Sequence, residues 1–366
     1  MFNLRKIVFL LQNLEGGGAE RMALNLINNL SLKYYTLEVI LLENRGVFID
    51  QIVKRKGVKV TILSVKYKNR IINFLINFII ALKKLRNESI EIIFSQYNPG
   101  KALPFFKFFL KNKTLIYRET NIPKFETKDS KFYIKIINRM FYLYGIKKYD
   151  KIILQSQDMQ NEILQVNSRL CKEKLFLVHN FIDFENISKN LTTQIFTQKN
   201  KIKLISVGRL SKQKGYDLLL RTLYKINRKD IELKIYGEGE ERKKLERLIR
   251  KYKLENVVEL KGFKKNPYND IAQADFFISS SRYEGFPNAV LESCVCGTPV
   301  IANRYLGGIN EIIIMSLNGE IIDITDTTAF ENALLKIYDR KKIKVDVLNR
   351  FGKNIIIKKY ENIFFN

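Results

Sequence analysis

The sequence predicts an α/β protein in which two domains each contain a doubly wound parallel sheet. With 366 residues, the chain exceeds the usual size of a single domain, and its hydrophobic fraction of 46% is enough for two cores. Short apolar runs of strand length alternate with stretches of helical length in both halves, which is the pattern of parallel βαβ units. Glycines follow several of these runs, at the strand ends where such sheets bind ligands.

The first half of the chain is predicted to contain six strands and a glycine loop. The loop, Asn13–Gly18, precedes a helix from Ala19 to about Leu30, and this layout lets the backbone of Gly17 and Gly18 approach a phosphate. It matches neither the GxxxxGK[ST] P-loop nor the GxGxxG dinucleotide pattern, and a flexible turn is the alternative. The six predicted strands are Lys6–Gln12, Leu37–Leu42, Val58–Leu63, Ile90–Ser95, Thr114–Tyr117 and Lys151–Gln155.

Two segments of this half are both basic and apolar. Lys66–Arg86 contains six basic residues and Lys101–Arg118 contains five, and neither contains an acidic residue. Crossover helices packed on the sheet would account for much of the apolar surface. Exposed aromatic side chains beside Lys and Arg also suit an anionic membrane surface, where each basic residue contributes about 1 kcal/mol. We therefore expect both segments to dock on such a surface.

The second half is predicted to contain a second sheet with cations at its first strand end. Arg209 and Lys214, in the tract GRLSKQKG, follow that strand and precede a helix, which suits a diphosphate; a solvated basic turn is the alternative. Gly237 and then Gly262 with Phe263 follow the next two strands. The five predicted strands are Ile202–Val207, Leu233–Tyr236, Val257–Leu260, Ala274–Ser279 and Thr298–Ala302.

Two glutamates are predicted at the start of a short helix between the last two of these strands. Pro287 is placed at the first helical position and Gly297 at the C-terminal cap. Glu284 then precedes the helix and Glu292 projects from it, with seven residues between them. Carboxylates beside the free N–H groups of a helix start suit the hydroxyls of a ribose and a sugar. Solvated glutamates in an ordinary βαβ unit are the alternative.

Composition restricts the chemistry. Cys171, Cys294 and Cys296 have the spacing of neither a disulfide framework nor a zinc site, which favours a reducing, cytoplasmic compartment. His179 is the single histidine, so a mechanism that needs two imidazoles is excluded. We expect neither a signal peptide nor a spanning helix, because no cleavage site and no sufficiently long apolar run occurs. The net charge of +27 implies anionic partners, although a compositional bias toward lysine is an alternative.

The tract EGFPNAVLE, followed by GTPVIA and GGINEI, closely resembles the E-x7-E motif of the retaining, nucleotide-sugar-dependent glycosyltransferases of family 4, or group 1. GRLSKQKG resembles their GRL-x-x-x-KG motif, and EGGGAERMALNL resembles their N-terminal loop. The resemblance spans most of the chain and is densest from 201 to 312. It implies the GT-B fold of two facing Rossmann-like domains. These would be residues 1–183 and 201–351, with 184–200 as a polar linker and a helix in 352–366 crossing back onto the first domain.

The resemblance also implies roles for individual residues. Arg209 and Lys214 are expected to stabilise the leaving diphosphate, while Glu284 positions the donor sugar; these are the expected catalytic residues. A family histidine is missing near Arg118–Pro123, where Glu119 or Asn121 either contacts the sugar or acceptor or caps the loop. No metal or cofactor is expected, because cationic side chains replace a metal and no D-x-D tract occurs. The other expected donor contacts are Gly17, Gly18, Gly208, Gly237, Gly262, Phe263, Gly285, Phe286, Pro287, Asn288 and Glu292.

The function implied is hexosyl or N-acetylhexosaminyl transfer, with retention, from a nucleotide sugar to a glycan acceptor. UDP sugars are the expected donors, and the expected acceptor is linked to polyprenyl diphosphate, as in bacterial surface polysaccharide, lipopolysaccharide or glycoprotein oligosaccharide synthesis. The expected location is cytoplasmic and peripheral, on the inner face of the plasma membrane. A GT-B nucleotide-sugar epimerase is one alternative. A basic nucleic-acid-binding protein is another, although no RRM, KH or zinc-finger pattern occurs, so no nucleic-acid partner is expected.

Overall fold

Two units make up the chain, and each is organised around one parallel sheet. The computed structural model describes residues 4–15, 17–63, 69–87, 89–126, 132–189, 191 and 201–365. Unit 1 comprises Met1–Asn180 together with Ile356–Asn366, and unit 2 comprises Phe181–Ile355. The predicted fold class, α/β with two Rossmann-like doubly wound domains, is confirmed.

The sheet of unit 1 has seven parallel strands in the order β3-β2-β1-β4-β5-β6-β7. The chain moves outward from β1 on one side and returns to β4 on the other, so the topological switch point lies between β1 and β4. Ligands of open α/β sheets bind at the carboxyl ends of the strands beside such a point. The strands are β1 (Arg5–Leu11), β2 (Tyr35–Leu41), β3 (Val58–Ile62), β4 (Ile92–Gln96), β5 (Thr114–Arg118), β6 (Lys151–Leu154) and β7 (Leu175–Leu177).

Helices cover both faces of this sheet, as parallel sheets require. The α-helices of unit 1 before the crossing are α1 (Gly18–Asn29), α2 (Ile49–Val53), α3 (Arg70–Asn87), α4 (Tyr97–Ala102), α5 (Pro123–Glu126), α6 (Phe132–Met140) and α7 (Gln157–Val166). Leu103–Leu110, Ile146–Lys148 and Lys172–Lys174 are 3₁₀ segments, and Phe141–Gly145 is a π-helical turn. Within Lys101–Arg118, therefore, a 3₁₀ segment and β5 replace a long crossover helix.

The sheet of unit 2 has six parallel strands in the order β10-β9-β8-β11-β12-β13, and its switch point lies between β8 and β11. The strands are β8 (Ile202–Val207), β9 (Ile231–Tyr236), β10 (Val258–Gly262), β11 (Phe276–Ser279), β12 (Val300–Asn303) and β13 (Gly319–Ile322). The helices are α8 (Phe184–Ser188), α9 (Tyr216–Ile226), α10 (Arg242–Lys251), α11 (Tyr268–Gln273), α12 (Asn288–Val295), α13 (Ile309–Ile312), α14 (Thr327–Leu334) and α15 (Arg340–Phe351).

The last helix, α16 (Lys353–Phe365), returns the chain to unit 1 from Ile356 onward. Phe364 is 1% exposed, and its ring lies 6.1 Å from that of Tyr35 and 6.3 Å from that of Phe94. The hydroxyl of Tyr360 accepts a hydrogen bond from Arg118. This helix therefore completes the core of unit 1.

The predicted linker, residues 184–200, begins with a helix in the structure. Ile187 of α8 is 3% exposed and belongs to a hydrophobic core of unit 2, so the start of this stretch is packed. Residues 190 and 192–200 lie outside the described part of the chain. Within the described ranges, none of the helices combines the length and apolar character needed to cross a bilayer.

Candidate functional site at the strand ends of unit 2

The candidate site lies at the switch point of unit 2, where β8 and β11 end side by side. A 3₁₀ turn, Lys212–Lys214, follows β8, and residues 280–287 connect β11 to α12. The hydroxyl of Ser280 donates to the carbonyl oxygen of Lys214 at 2.8 Å. Gly215 has φ of +65°, and a Cβ there would lie 2.1 Å from the carbonyl oxygen of Ser280. Only glycine tolerates this approach, so Gly215 allows the backbones of the two loops to lie in direct contact.

Lys214 and Glu284 form an ion pair at the centre of this site. The ammonium nitrogen of Lys214 lies 2.6 Å from Oε1 of Glu284, and the two side chains are 23% and 10% exposed. Ser281 donates to the same oxygen at 2.7 Å, while the amide of Gln213 donates to Oε2 at 3.3 Å. Three donors hold this carboxylate in one orientation. Two of the predicted catalytic residues are therefore in direct contact.

Three glycines lie side by side at the ends of β8, β9 and β10. Gly237 has φ of +148°, and a Cβ there would lie 1.9 Å from the carbonyl oxygen of Gly208. Gly237 in turn donates to the carbonyl oxygen of Gly262 at 2.9 Å. A Cβ on Gly208 would lie 3.0 Å from Cε of Lys214, so the lysine stem rests against this glycine. The predicted donor-binding glycines of unit 2 thus form a row of bare backbone next to the ion pair.

A second pair of glycines supports the loop that carries Glu284. The N–H of Glu284 donates to the carbonyl oxygen of Leu306 at 3.2 Å, and the N–H of Gly308 donates to that of Gly285 at 3.0 Å. Gly307 has φ of +127°, and a Cβ there would lie 1.7 Å from the carbonyl oxygen of Glu284. The GG pair of GGINE therefore permits a close backbone contact that fixes the loop.

Helix α12 begins one residue later than predicted. Pro287 is the N-cap residue and not the first helical residue, while Asn288 begins the helix. This shift lies within the usual uncertainty of helix ends. Gly297, with φ of +79°, follows the C-cap as expected.

Glu292 is 8% exposed on the second turn of α12, and Phe286 is 6% exposed with its ring 5.7 Å from that of Phe351.

Arg209 and Phe263 occupy open positions on the same edge of the sheet. Arg209, directly after Gly208, is exposed, and none of the ion pairs between described residues involves it. Phe263, directly after Gly262, is 68% exposed. An exposed guanidinium and an exposed ring at strand ends are free to contact a bound ligand without breaking an internal interaction.

Two buried tyrosines that the sequence did not suggest border the ion pair. Tyr216 is 2% exposed; burial raises the pKa of its hydroxyl, and the Glu284 carboxylate raises this pKa further. Burial and then Glu284 likewise raise the pKa of Tyr305, whose hydroxyl lies 3.1 Å from that of Ser279. Both hydroxyls stay protonated near the site at neutral pH. Neither residue belongs to a motif, so only the fold identifies it.

A second ion pair, between Arg282 and Asp217, ties the loop after β11 to the first turn of α9. Two hydrogen bonds of 2.8 and 2.7 Å join the guanidinium to the carboxylate, and Arg282 also donates to the carbonyl oxygen of Lys212. Burial alone would raise the pKa of Asp217, but the bonds and charge of Arg282 outweigh it and lower this pKa. The pair therefore holds the loop beside the turn that carries Lys214.

The predicted site residues of unit 1 lie at the start of α1 and directly after β5. Gly17 is the N-cap residue of α1 and Gly18 its first residue. Glu119 is wholly buried; it accepts from Tyr142 at 2.8 Å and from the N–H of Thr120 at 2.8 Å. Asn121 accepts from the N–H of Ile122 at 2.9 Å. The contacts of both residues fit the loop-capping alternative.

The predicted membrane segment Lys101–Arg118 is wrong at its two ends. Lys101 is 6% exposed and donates to Asn138, and Arg118 is 1% exposed at the end of β5. Burial removes both cations from the surface. The start of the other segment, residues 66–68, lies outside the described ranges.

Unit 1 nevertheless exposes many large apolar side chains on three neighbouring elements, which we call the apolar face. Phe106 of the 3₁₀ segment lies 5.7 Å from Phe78 of α3, and Phe105 borders Gly145 in the π-helical turn that continues α6. The ammonium of Lys111 lies 4.7 Å from the ring of Phe108. The exposed members are Ile71, Ile72, Leu75, Ile79 and Ile80 of α3, Phe105, Phe108 and Phe109 of the 3₁₀ segment, and Phe132, Ile136, Ile137 and Met140 of α6.

No group of three or more His, Cys, Asp or Glu side chains is arranged to hold a metal ion in the described part of the chain. The cations available for an anion at the site in unit 2 are the side chains of Lys214 and Arg209.

Comparison with known proteins identifies relatives along the whole chain. A family model described as glycosyl transferases group 1 matches residues 188–356, and one described as glycosyltransferase family 4 matches residues 16–186. The N-acetylgalactosamine-N,N'-diacetylbacillosaminyl-diphospho-undecaprenol 4-alpha-N-acetylgalactosaminyltransferase of Campylobacter jejuni is 28% identical over 351 residues, covering 95% of this chain and 94% of the relative. The amylovoran biosynthesis glycosyltransferase of Erwinia amylovora is 25% identical, covering 98% and 99%.

Solved structures share the architecture. The Anabaena protein HepE, crystallised with UDP and glucose, superposes with a TM-score of 0.77 at 18% sequence identity, covering 98% of this chain and 99% of that one. At this level of identity the similarity concerns the fold.

Proposed function

The chain belongs to the glycosyltransferases of group 1 and family 4, and from that membership we propose that it transfers a sugar from a UDP sugar to a lipid-linked glycan with retention of anomeric configuration. The observation that carries the proposal is the Lys214–Glu284 ion pair at the switch point of unit 2. It combines a cation for the phosphates with a carboxylate for the sugar hydroxyls, beside a row of glycines.

In the proposed reaction, the bond between the anomeric carbon and the leaving phosphate oxygen breaks. A bond from an acceptor hydroxyl oxygen to the same carbon forms, and the hydroxyl proton passes to the leaving diphosphate. Negative charge grows on that diphosphate, and each fixed donor aimed at such charge contributes about 2.7–4 kcal/mol in comparable sites. Arg209, exposed and outside the ion pairs of the described residues, supplies one such donor.

Lys214 also stabilises the negative charge on the leaving diphosphate while it stays bonded to Glu284. An ammonium has three N–H donors, so one can remain on Glu284 while the others reach a phosphate oxygen. Glu284, fixed by Lys214 and Ser281, presents its remaining lone pairs to the donor sugar. Glu292 clasps the ribose hydroxyls, and the exposed ring of Phe263 packs against the base.

The choice of donor and acceptor rests on similar proteins. The solved structure of HepE contains UDP and glucose, and the Campylobacter relative acts, by its name, on a diphospho-undecaprenol-linked glycan with an N-acetylgalactosaminyl group. For this chain we propose UDP hexoses or N-acetylhexosamines as donors and a polyprenyl-diphosphate-linked acceptor. No metal or cofactor is needed when Arg209 and Lys214 carry the diphosphate charge.

An acceptor anchored in lipid requires the enzyme to work at a membrane surface, and the apolar face of unit 1 suits this location. Phe108 and Phe132 are 73% and 79% exposed, and Lys111 lies over the ring of Phe108. Aromatic side chains flanked by lysine enter the boundary between headgroups and acyl chains, while the cations contact anionic lipid. We place the chain on the anionic, cytoplasmic face of the plasma membrane, with no nucleic-acid partner.

The experiment that tests the proposed function measures nucleotide release from a panel of UDP and GDP sugars in the presence of membrane lipid extract. We expect release with a UDP sugar by the unmodified chain and its loss in Glu284→Gln, which keeps the side-chain volume but removes the charge. Asp230→Asn is the matched control, because Asp230 also pairs with a cation, Arg228, but lies before β9, at the amino ends of the strands. Equal release by Glu284→Gln and the control would refute the assignment.

A further inference from the structure

Tyr216 is a buried polar side chain of unit 2 that belongs to neither the GRL-x-x-x-KG nor the E-x7-E motif. It is the first residue of α9, directly after Gly215, and it is 2% exposed. Its side chain lines the same pocket at the switch point as Lys214 and Glu284. The proposed reaction uses the ammonium and the carboxylate of this pocket and leaves the phenol hydroxyl without a function.

The hydroxyl of Tyr216 is open to the site because position 208 is glycine. A Cβ built on Gly208 would lie 3.0 Å from this hydroxyl and 3.0 Å from Cε of Lys214. Gly208 is not one of the glycines with positive φ, so its backbone conformation also suits alanine. Glycine at this position therefore leaves space over the lysine stem and the phenol hydroxyl, where a ligand at the end of β8 can approach both.

The internal partners of this hydroxyl are neutral groups. The carbonyl oxygen of Gly208 lies 3.4 Å away, beyond the usual distance of about 2.7–2.8 Å for a hydroxyl hydrogen bond. Ser206 is the other partner, and its own hydroxyl donates to the carbonyl oxygen of Ile278 at 2.7 Å. Because hydrogen bonds to an ionised acceptor are roughly twice as strong as those between neutral groups, an anionic oxygen over Gly208 is a better acceptor than either.

The electrostatics favour a phosphate as that acceptor. Burial raises the pKa of Tyr216 and the charge of Glu284 raises it further, so the phenol stays protonated and adds no negative charge to the pocket. The ammonium of Lys214 lies over the same glycine and attracts an anion. A sugar hydroxyl, in contrast, is a neutral acceptor like the two internal partners.

We propose that the hydroxyl of Tyr216 donates a hydrogen bond to the diphosphate of the nucleotide sugar, as a third donor beside Lys214 and Arg209. The proposal rests on the proposed function, which brings a diphosphate to the end of β8. Tyr216 keeps its proton throughout and forms no covalent bond. Because negative charge grows on the diphosphate as it leaves, this hydrogen bond strengthens in the transition state and contributes to catalysis.

Isothermal titration calorimetry with UDP tests this contact without requiring transfer. Tyr216→Phe removes only the hydroxyl and should weaken UDP binding about tenfold. Gly208→Ala keeps the hydroxyl but covers it, so it should also weaken UDP binding. Tyr338→Phe is the matched control and should bind UDP as the unmodified chain does, because the hydroxyl of Tyr338 donates to Glu320 at 2.9 Å on the edge strand β13. Thermal unfolding verifies that each variant is folded, and Gly208→Ala decides the result if Tyr216→Phe is unstable.

Uridine, which has no phosphate, separates a lost contact from general damage to the site. Its affinity, measured by saturation-transfer NMR, should be the same for the unmodified chain and for Tyr216→Phe. An equal loss of uridine and UDP binding in this variant, or UDP binding as tight as that of the unmodified chain, would contradict the proposal. Absence of UDP binding by the unmodified chain would defeat the proposed function together with this contact, whereas UDP binding that Tyr216→Phe retains would defeat the contact alone.

Discussion

At the scale of single residues, Lys214 and Glu284 are coupled by burial. A partly buried carboxylate is stabilised by the cation beside it, and removal of either partner leaves a charge with too few partners. The motifs GRL-x-x-x-KG and E-x7-E predicted both residues from the sequence. They did not predict that Ser281, three residues before Glu284, and Gln213, 71 residues before it, complete the donor set of Glu284. The contact with Gln213 depends on the sheet order, which local pattern does not give.

Replacing Lys214 by methionine, which keeps much of the stem, should lower kcat by about 10²–10³. The reason is that the leaving diphosphate loses one fixed donor. The double variant Lys214→Met/Glu284→Gln should unfold at a higher temperature than Lys214→Met, because it no longer buries an unpaired charge. Steady-state kinetics and thermal unfolding measure both effects. An unchanged kcat would contradict the role of Lys214.

The pair of Asp217 and Arg282 predicts a pH dependence of stability. Since folding lowers the pKa of Asp217, its contribution is fully present above the unfolded pKa of about 3.9 and is lost as the pH falls through the folded pKa. Asp217→Asn should therefore lower the free energy of unfolding by up to about 1 kcal/mol at pH 7, because both side chains are over a quarter exposed. The difference should vanish in strong acid. Urea unfolding of the unmodified chain and of Asp217→Asn at pH 7 and in strong acid tests this prediction. An equal difference in the free energy of unfolding under the two conditions would contradict it.

At the scale of elements, local pattern predicted the described strands of both sheets except β7 and β13. β7 has three residues, and β13 has four that begin with glycine, so neither gives a run that differs from a loop. Local pattern also failed to predict the burial of Arg118. Its basic side chain indicated a surface position, but β5 ends inside unit 1, where Gln96, Asn180 and Tyr360 surround the guanidinium. Only the packing of α16 and of the chain near Asn180 reveals this environment.

The packing of α16 gives a prediction with an adjacent control. Phe364→Ala should lower the free energy of unfolding by about 3–5 kcal/mol, because the ring is 1% exposed against Tyr35 and Phe94. Phe365→Ala removes a ring that is 43% exposed and should cost clearly less. Chemical denaturation monitored by circular dichroism compares the two variants. Equal losses would contradict the assignment of α16 to the core of unit 1.

At the scale of the whole molecule, the net charge of +27 and the apolar face point to the same partner. Charge alone also fits nucleic acid, whereas the exposed rings and aliphatic side chains of α3, the 3₁₀ segment and α6 are the surface that the proposed membrane contact would cover. The sequence drew attention to α3 and the 3₁₀ segment. It did not identify α6, of whose described side chains only Asn138 is buried.

Sedimentation with lipid vesicles tests this surface. The chain should bind vesicles that contain phosphatidylglycerol and bind poorly to pure phosphatidylcholine, and binding should weaken in 1 M salt, where the Debye length is about 3 Å. Phe108→Ser with Ile137→Ser should reduce binding, because two exposed apolar side chains are removed from the apolar face. Ile337→Ser is the control, since Ile337 is 96% exposed but lies in unit 2. Equal losses in the double variant and the control would refute the assignment.

The most direct test of the central claim is mass spectrometry of the products formed from a UDP N-acetylhexosamine and polyprenyl-diphosphate-linked glycans. The account predicts a lipid-linked product heavier by one sugar residue, formed by the unmodified chain and absent with Glu284→Gln. An isomerised nucleotide sugar, or free sugar and UDP with no heavier glycan, would contradict it.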